Sequence, residues 1–312
     1  MTSSKKKSFK KVLKVSIIVI IIFILVSSVA TKLVYDSIFD RYDSGKDTMQ
    51  PVGFADYSHH NYMCGENKLS GHLYNTEKSD DIIIIVPGFH AETDNFVSYI
   101  DEFCKNGFDV FSFDPTGHGD SEGDSCIGFP QIINDLNSTI DYLSSKTDYE
   151  NIYLFGHSRG GYAACCALKD NDNVSGVVSV SGVDSSMDAI MALSTDAVGF
   201  IAYGNYPFLS LYETMLFGSE LSSRSASECI LESDVPVMII QGKNDEDIPS
   251  DSYSIYSKKE DILSDNAKFV LYDNPGKDGH TSILFDNSQK ANPDIVKYAV
   301  DFFKNDISKE NS

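Results

Sequence analysis

Asn151-Ile-Tyr-Leu-Phe155-Gly156-His157-Ser158-Arg159-Gly160-Gly161-Tyr-Ala-Ala-Cys-Cys-Ala-Leu168 changes character at its centre. Asn151 to Phe155 is a short apolar run with β-branched and aromatic residues, the composition of a strand. The residues after Gly160 are small and apolar, and they read as a helix. Between them lies Gly156-x-Ser158-x-Gly160, a turn tight enough to hold a serine in strained backbone geometry. A glycine on either side leaves room for strand and helix to pass closely. Ser158 is thereby expected at the C-terminal edge of a sheet, with a helix N-terminus beneath it.

Outward from this junction, strand-like and helix-like stretches alternate. Asp81 to Val86 (Asp-Ile-Ile-Ile-Ile-Val) is a continuous β-branched run, as for a strand buried on both faces. Phe108–Phe113, Val174–Val183, Val235–Gln241 and Lys268–Tyr272 read as further strands. Asn95–Asn106, Gln131–Leu143, Arg159–Lys169 and Pro293–Phe303 read as helices. Tyr57–Met63 and Lys68–Tyr74, split by Cys-Gly-Glu-Asn, read as a hairpin. The alternation predicts an α/β fold with a mostly parallel, doubly wound sheet. One stretch, about 184–233, is too long for a single crossover helix and rich in Ala, Met, Phe and Tyr. Its apolar content predicts a helical lid insertion rather than a disordered loop.

The chain's 312 residues suffice for one large domain, and its net charge of −21 is uneven. All six charged residues among the first fourteen are lysines, so the remainder carries −27. A body this acidic repels nucleic acid, which is excluded as a partner. Residues 1–14 read as a basic cytoplasmic tail, 15–31 as a membrane segment, 32–54 as a linker and 55–312 as the folded domain. Ile17 to Val26 is unbroken by any polar residue. It is either a signal peptide cleaved after Ser28-Val29-Ala30 or an uncleaved anchor spanning Val12 to Val34 with Lys14 and Lys32 snorkelling. The anchor reading is preferred. Either way the lysines stay inside and the domain is exported. Of the six cysteines, Cys165 and Cys166 adjoin in an apolar helix, and no disulfide framework is expected.

A serine hydroxyl needs a base, and the base needs an orienting carboxylate. Asp245 is the acid candidate, on the turn leaving Val237–Gln241, with Glu246 and Asp247 as its rivals. His280, after the last strand in Gly276-Lys-Asp-Gly279-His280, is the base candidate. His59, His60 and His72 are expected at the surface of the hairpin, and His118 in a structural turn. His157 is expected to point away from the serine, and His90 comes too early in the chain. Backbone N–H groups of Phe89, after Pro87-Gly88, and of Arg159 are candidates for an oxyanion hole. No metal spacing occurs, and neither a metal nor an organic cofactor is called for.

These residues resemble the α/β-hydrolase superfamily, in particular its monoacylglycerol lipase-like and S33-type serine hydrolases. The resemblance rests on Pro87-Gly88-Phe89, Asp114-Pro-Thr-Gly117-His118-Gly119-Asp-Ser121-Glu-Gly123, Gly156-x-Ser158-x-Gly160 and the Asp245 and His280 loops. Thr116 stands where the family commonly has arginine, and Pro87 where many members have histidine. The resemblance implies the α/β-hydrolase fold and hydrolysis through an acyl-enzyme. A small-molecule or lipid ester is the expected substrate, with peptides, thioesters and a catalytically silent binding module as alternatives.

Overall fold

The computed structural model of the chain describes residues 3–43, 45, 56–76, 79–273, 279–286 and 288–307. A long helix, α1 (Ser3–Ile38), comes first, and its Phe9–Ile38 portion is long and apolar enough to cross a membrane. Strands β1 (Asp56–Cys64) and β2 (Asn67–Asn75) form the expected hairpin. Then follow β3 (Asp81–Val86), α2 (Val97–Lys105), β4 (Asp109–Asp114), α3 (Gln131–Lys146), β5 (Asn151–His157), α4 (Arg159–Cys166) and β6 (Val174–Val180). Three helices, α5 (Ser186–Val198), α6 (Ile201–Ser222) and α7 (Ala226–Leu231), separate β6 from β7 (Val237–Gly242). Strand β8 (Ala267–Tyr272) and helix α8 (Pro293–Asp301) complete the order.

The strands make one eight-stranded sheet in the order β1-β2-β4-β3-β5-β6-β7-β8. Pairing is parallel from β4 through β8, whereas β2 pairs antiparallel with both β1 and β4, so β2 alone runs against the other strands. The isoleucines of β3 show why the sheet is doubly wound. Ile82 and Ile84 face a core shared with α3, α4 and α7, while Ile83 and Ile85 face the core under α2 and α8. All four are fully buried, so truncating any one to alanine costs about 2–5 kcal/mol.

The register levels the strand ends. Val86 pairs with Gly156, His157 with Val180, Val180 with Ile240, and Gly242 with Tyr272. The loops carrying residues 87–90, 158, 245 and 280 therefore leave one edge of the sheet. This is where ligands bind in open α/β sheets.

The stretch expected as a linker departs from that reading. α1 continues to Ile38, and Tyr35 and Phe39 are buried in the core. Arg41 donates to the backbone carbonyls of Ser121 and Gly123, each at 2.9 Å, and to that of Gly119. Tyr42 N–H donates to the Gly117 carbonyl at 2.9 Å. Residues 31–43 thus belong to the folded body; their partners lie from some eighty to about 180 residues away, so no local periodicity announces them. The remainder of that stretch, 46–54, and Ala55, the expected domain start, lie outside the described residues. His72 also departs from expectation. It is buried, because β2 is enclosed between β1 and β4.

Candidate active site

Ser158 follows β5 with φ 55° and ψ −119°, a conformation that costs a non-glycine residue about 1–3 kcal/mol. The surroundings hold it there. Its N–H donates to the Val180 carbonyl at 2.9 Å. A Cβ on Gly160 would stand 2.0 Å from the Val86 carbonyl oxygen, and one on Gly156 2.3 Å from that of Gly160. Strand and helix can approach this closely only because both positions lack a side chain. The Pro87–His90 turn comes beside the serine, since a Cβ on Gly88 would lie 3.5 Å from Ser158 Cβ.

Asp245 and His280 meet although 35 residues separate them. His280 Nδ1 lies 2.9 Å from Asp245 Oδ2. Asp245 Oδ1 accepts the Ile248 N–H at 2.8 Å, and Gln241 Nε2 donates to Oδ2 at 3.1 Å. Burial pushes the Asp245 carboxyl up. The bond and charge of His280, together with the Ile248 N–H, outweigh it and leave the carboxyl below its ordinary value. An ionised carboxylate only accepts, so the Nδ1 proton of His280 points at it and leaves Nε2 as the acceptor nitrogen. Glu246 and Asp247 are exposed, Asp247 at the rim of the cavity described below. Gly276 to Asp278, ahead of His280, lie outside the described residues.

Ser158, His280 and Phe89 line two adjoining cavities. One, about 250 Å³, continues along Phe129, Val183, Ala189 and Leu193. The other, about 190 Å³, continues along His157, Phe96, Leu284 and Phe285. A hydroxyl, an imidazole oriented by a carboxylate and a partly apolar wall are the parts needed for base-assisted attack on a carbonyl carbon. Among the described residues no group of three His, Cys, Asp or Glu side chains could hold a metal ion.

Three positioning residues escaped sequence reasoning. His157 Nε2 donates to the His280 carbonyl at 3.1 Å, and burial, with His280 beside it, holds its imidazole down at about 3. Its ring therefore faces the His280 loop as a neutral donor. Gln241 bridges Asp245 to the Ile248 carbonyl. The Arg159 side chain is fully buried, donates to the carbonyls of Phe129 and Gly128, and stacks against the Phe89 and Phe129 rings. A polar residue beside a motif was the only signal available for any of them. The Asp114–Gly123 loop is structural. Asp114 accepts N–H groups of Thr93 and Asp120, the Thr116 hydroxyl donates to Asp135 at 2.7 Å, and buried His118 contacts the Thr116 carbonyl.

Solved structures share this overall fold at low sequence identity. The esterase Pf2001 of Pyrococcus furiosus superposes with a TM-score of 0.66 at 17% identity, covering 85% of this chain and 97% of that one. Est1E of Butyrivibrio proteoclasticus, bound to ferulic acid, gives 0.58 at 20% identity over 80% and 99%. The chain has the α/β-hydrolase fold. Residues 77–199 match the Hydrolase_4 family model, described as serine aminopeptidase, S33. A curated relative, protein phosphatase methylesterase 1 of Candida albicans, is 28% identical over 153 residues, which are 47% of this chain. The match spans 41% of that protein's length.

Proposed function

We propose that this chain is a serine hydrolase that cleaves carboxylic esters, of carboxylesterase or acylglycerol lipase type, through an acyl-enzyme. The observation that carries the proposal is the Asp245–His280 pair at 2.9 Å, opening onto the same cavities as Ser158. In the first half-reaction His280 Nε2 takes the Ser158 proton as Oγ bonds to the carbonyl carbon. The N–H groups of Phe89 and Arg159 receive the oxyanion. The C–O bond then breaks, and the alcohol leaves with the proton from His280. Water repeats the sequence on the acyl-enzyme and releases the acid. Asp245 holds the imidazole in the required tautomer throughout.

The apolar walls of the 250 Å³ cavity favour an acyl group, and the methylesterase and esterase relatives agree with an ester. The match to serine aminopeptidases keeps an amide substrate as the second reading, with a thioester behind it. In this proposal α5–α7, within about 184–233, form a lid. α1 is an uncleaved anchor, with its lysines cytoplasmic and the catalytic body outside the membrane.

Fluorophosphonate labelling tests the nucleophile. Wild-type protein labels, and Ser158→Ala does not. Folded wild-type protein that fails to label removes the enzyme reading in favour of a silent binding module. p-Nitrophenyl esters of increasing chain length, set beside aminoacyl naphthylamides, separate ester from amide. N-terminal sequencing of exported protein checks the anchor, and a start at Thr31 would overturn it.

A further inference from the structure

The sixteen residues from Ala197 to Tyr212 carry no charged side chain. They include the first half of α6, which buries Ala202 and Leu209 in the core but leaves another face open. Phe200 is 84% exposed and Leu211 57%, with Tyr203, Tyr206 and, a turn further on, Met215 also open. A contiguous apolar surface of this kind marks an interaction site.

What covers it follows from its neighbour. α6 packs against α1, the helix apolar enough to cross a bilayer. Two kinds of contact join them. The polar ones gather at the end of α1 nearest the body. Buried Thr31 donates to Asn205 Oδ1 at 3.1 Å, and Lys32 donates to Asp36 and to the Tyr212 hydroxyl. Tyr35 donates to Glu213 at 3.1 Å, and Glu213 also accepts from Ser186. The apolar contact lies deeper. The Phe208 ring sits 6.3 Å, edge-on, from that of Phe23, in the middle of the run Ile17–Val26. Nine residues of helix separate Phe23 from Lys32, about 13 Å of rise, nearly half the thickness of a hydrocarbon core. A residue touching Phe23 is therefore at the depth of Phe23.

We propose that the first half of α6 is embedded in the same bilayer that α1 spans, with Phe200, Phe208 and Leu211 against acyl chains and Tyr203 and Tyr206 at the headgroup boundary. The proposal rests on the reading of α1 as a membrane-spanning anchor. Its chemistry is consistent throughout. A helix satisfies its own backbone and so tolerates hydrocarbon. The tyrosines suit the headgroup boundary. Glu213, the first charge after the neutral run, turns inward to Tyr35 and Ser186 instead of facing lipid. The catalytic cavity is lined by α5, the helix packed on α6, so the membrane adjoins the lid.

The absence of tryptophan from the chain permits a direct test. Single-tryptophan variants Phe23→Trp, Phe208→Trp, Leu211→Trp and Leu263→Trp are made in the full-length protein, the last at an exposed site on the body. Each is reconstituted in phosphatidylcholine vesicles with and without acyl-brominated phosphatidylcholine, after circular dichroism shows wild-type folding. The expected result is blue-shifted emission, quenched by bromolipid, for positions 23, 208 and 211, and none for 263. Quenching at 23 without quenching at 208 and 211 overturns the embedding while the anchor stands, and leaves a soluble partner or second copy as the occupant. No quenching at 23 refutes the anchor and the embedding together. Leu211→Trp changes an exposed side chain, so the test survives misfolding of Phe208→Trp.

Discussion

Asp245 and Asp247 are two residues apart and differ in everything that matters to an imidazole. Asp245 is buried and bonded to His280, Ile248 N–H and Gln241, whereas Asp247 is exposed at the cavity rim. Asp245→Asn should lower kcat by about 10³–10⁴-fold, because the amide favours the wrong tautomer of His280, while Asp247→Asn stays within about tenfold of wild type. Steady-state kinetics on a short ester decides, and a larger loss in Asp247→Asn would reverse the assignment. Asp245 also sets an acid limit. Its folded carboxyl is held below its ordinary value, so its stabilising contribution is complete above about pH 4. That contribution disappears as pH falls through the folded value. The stability gap between wild type and Asp245→Asn in urea titrations should therefore narrow below pH 4.

A segment without periodicity proves to be an element of the fold. Phe39 at the end of α1 is buried and meets the Phe89 ring at 5.5 Å, while Tyr42 stacks on His90 at 4.9 Å. The chain leaving α1 thus braces the turn that carries one oxyanion candidate. Phe39→Ala should cost about 3–5 kcal/mol in equilibrium unfolding. Tyr42→Ala should lower kcat with little change in KM, since it loosens the turn whose Phe89 N–H is proposed to act only in the transition state. A chain begun at residue 55 should unfold at lower temperature than one begun at residue 31, and equal melting temperatures would contradict the brace. None of this was legible beforehand, because Arg41 and Tyr42 find their partners in the Gly117–Gly123 loop. Hydrophobic periodicity reports contacts within an element and its facing layer, not contacts with a distant turn.

Across the whole molecule, burial of neutral histidines couples stability to pH. His118 is fully buried, and burial, with the Arg159 charge adding to it, lowers it to about 3 from an ordinary 6.5. Between those values the unfolded chain binds a proton that the folded chain does not. Stability therefore falls as pH drops below 6.5, by up to about 1.4 kcal/mol per pH unit for this group. His118→Gln lacks that slope. Comparing denaturation midpoints at pH 7.5 and 5.5, wild type should lose about 1 kcal/mol or more relative to the variant. Parallel behaviour of the two would refute the assignment of His118 as a buried neutral residue.

The strand composition of β3 and β5, the helical spacing of α3 and the glycines around Ser158 were enough to specify alternating layers and a serine at a sheet edge. Those features act over a few residues and are written in local pattern. Chain order also singled out Asp245 and His280, since each follows a strand. Only the tertiary structure decided that His157, Gln241 and the Arg159 side chain support the site, and that residues 31–43 belong to the body. It also decided that the Phe208 ring meets that of Phe23. Apart from Gln241, four residues from Asp245, these depend on parallel register and helix crossing, which bring together residues from 30 to more than 170 positions apart. No one-dimensional pattern records that proximity.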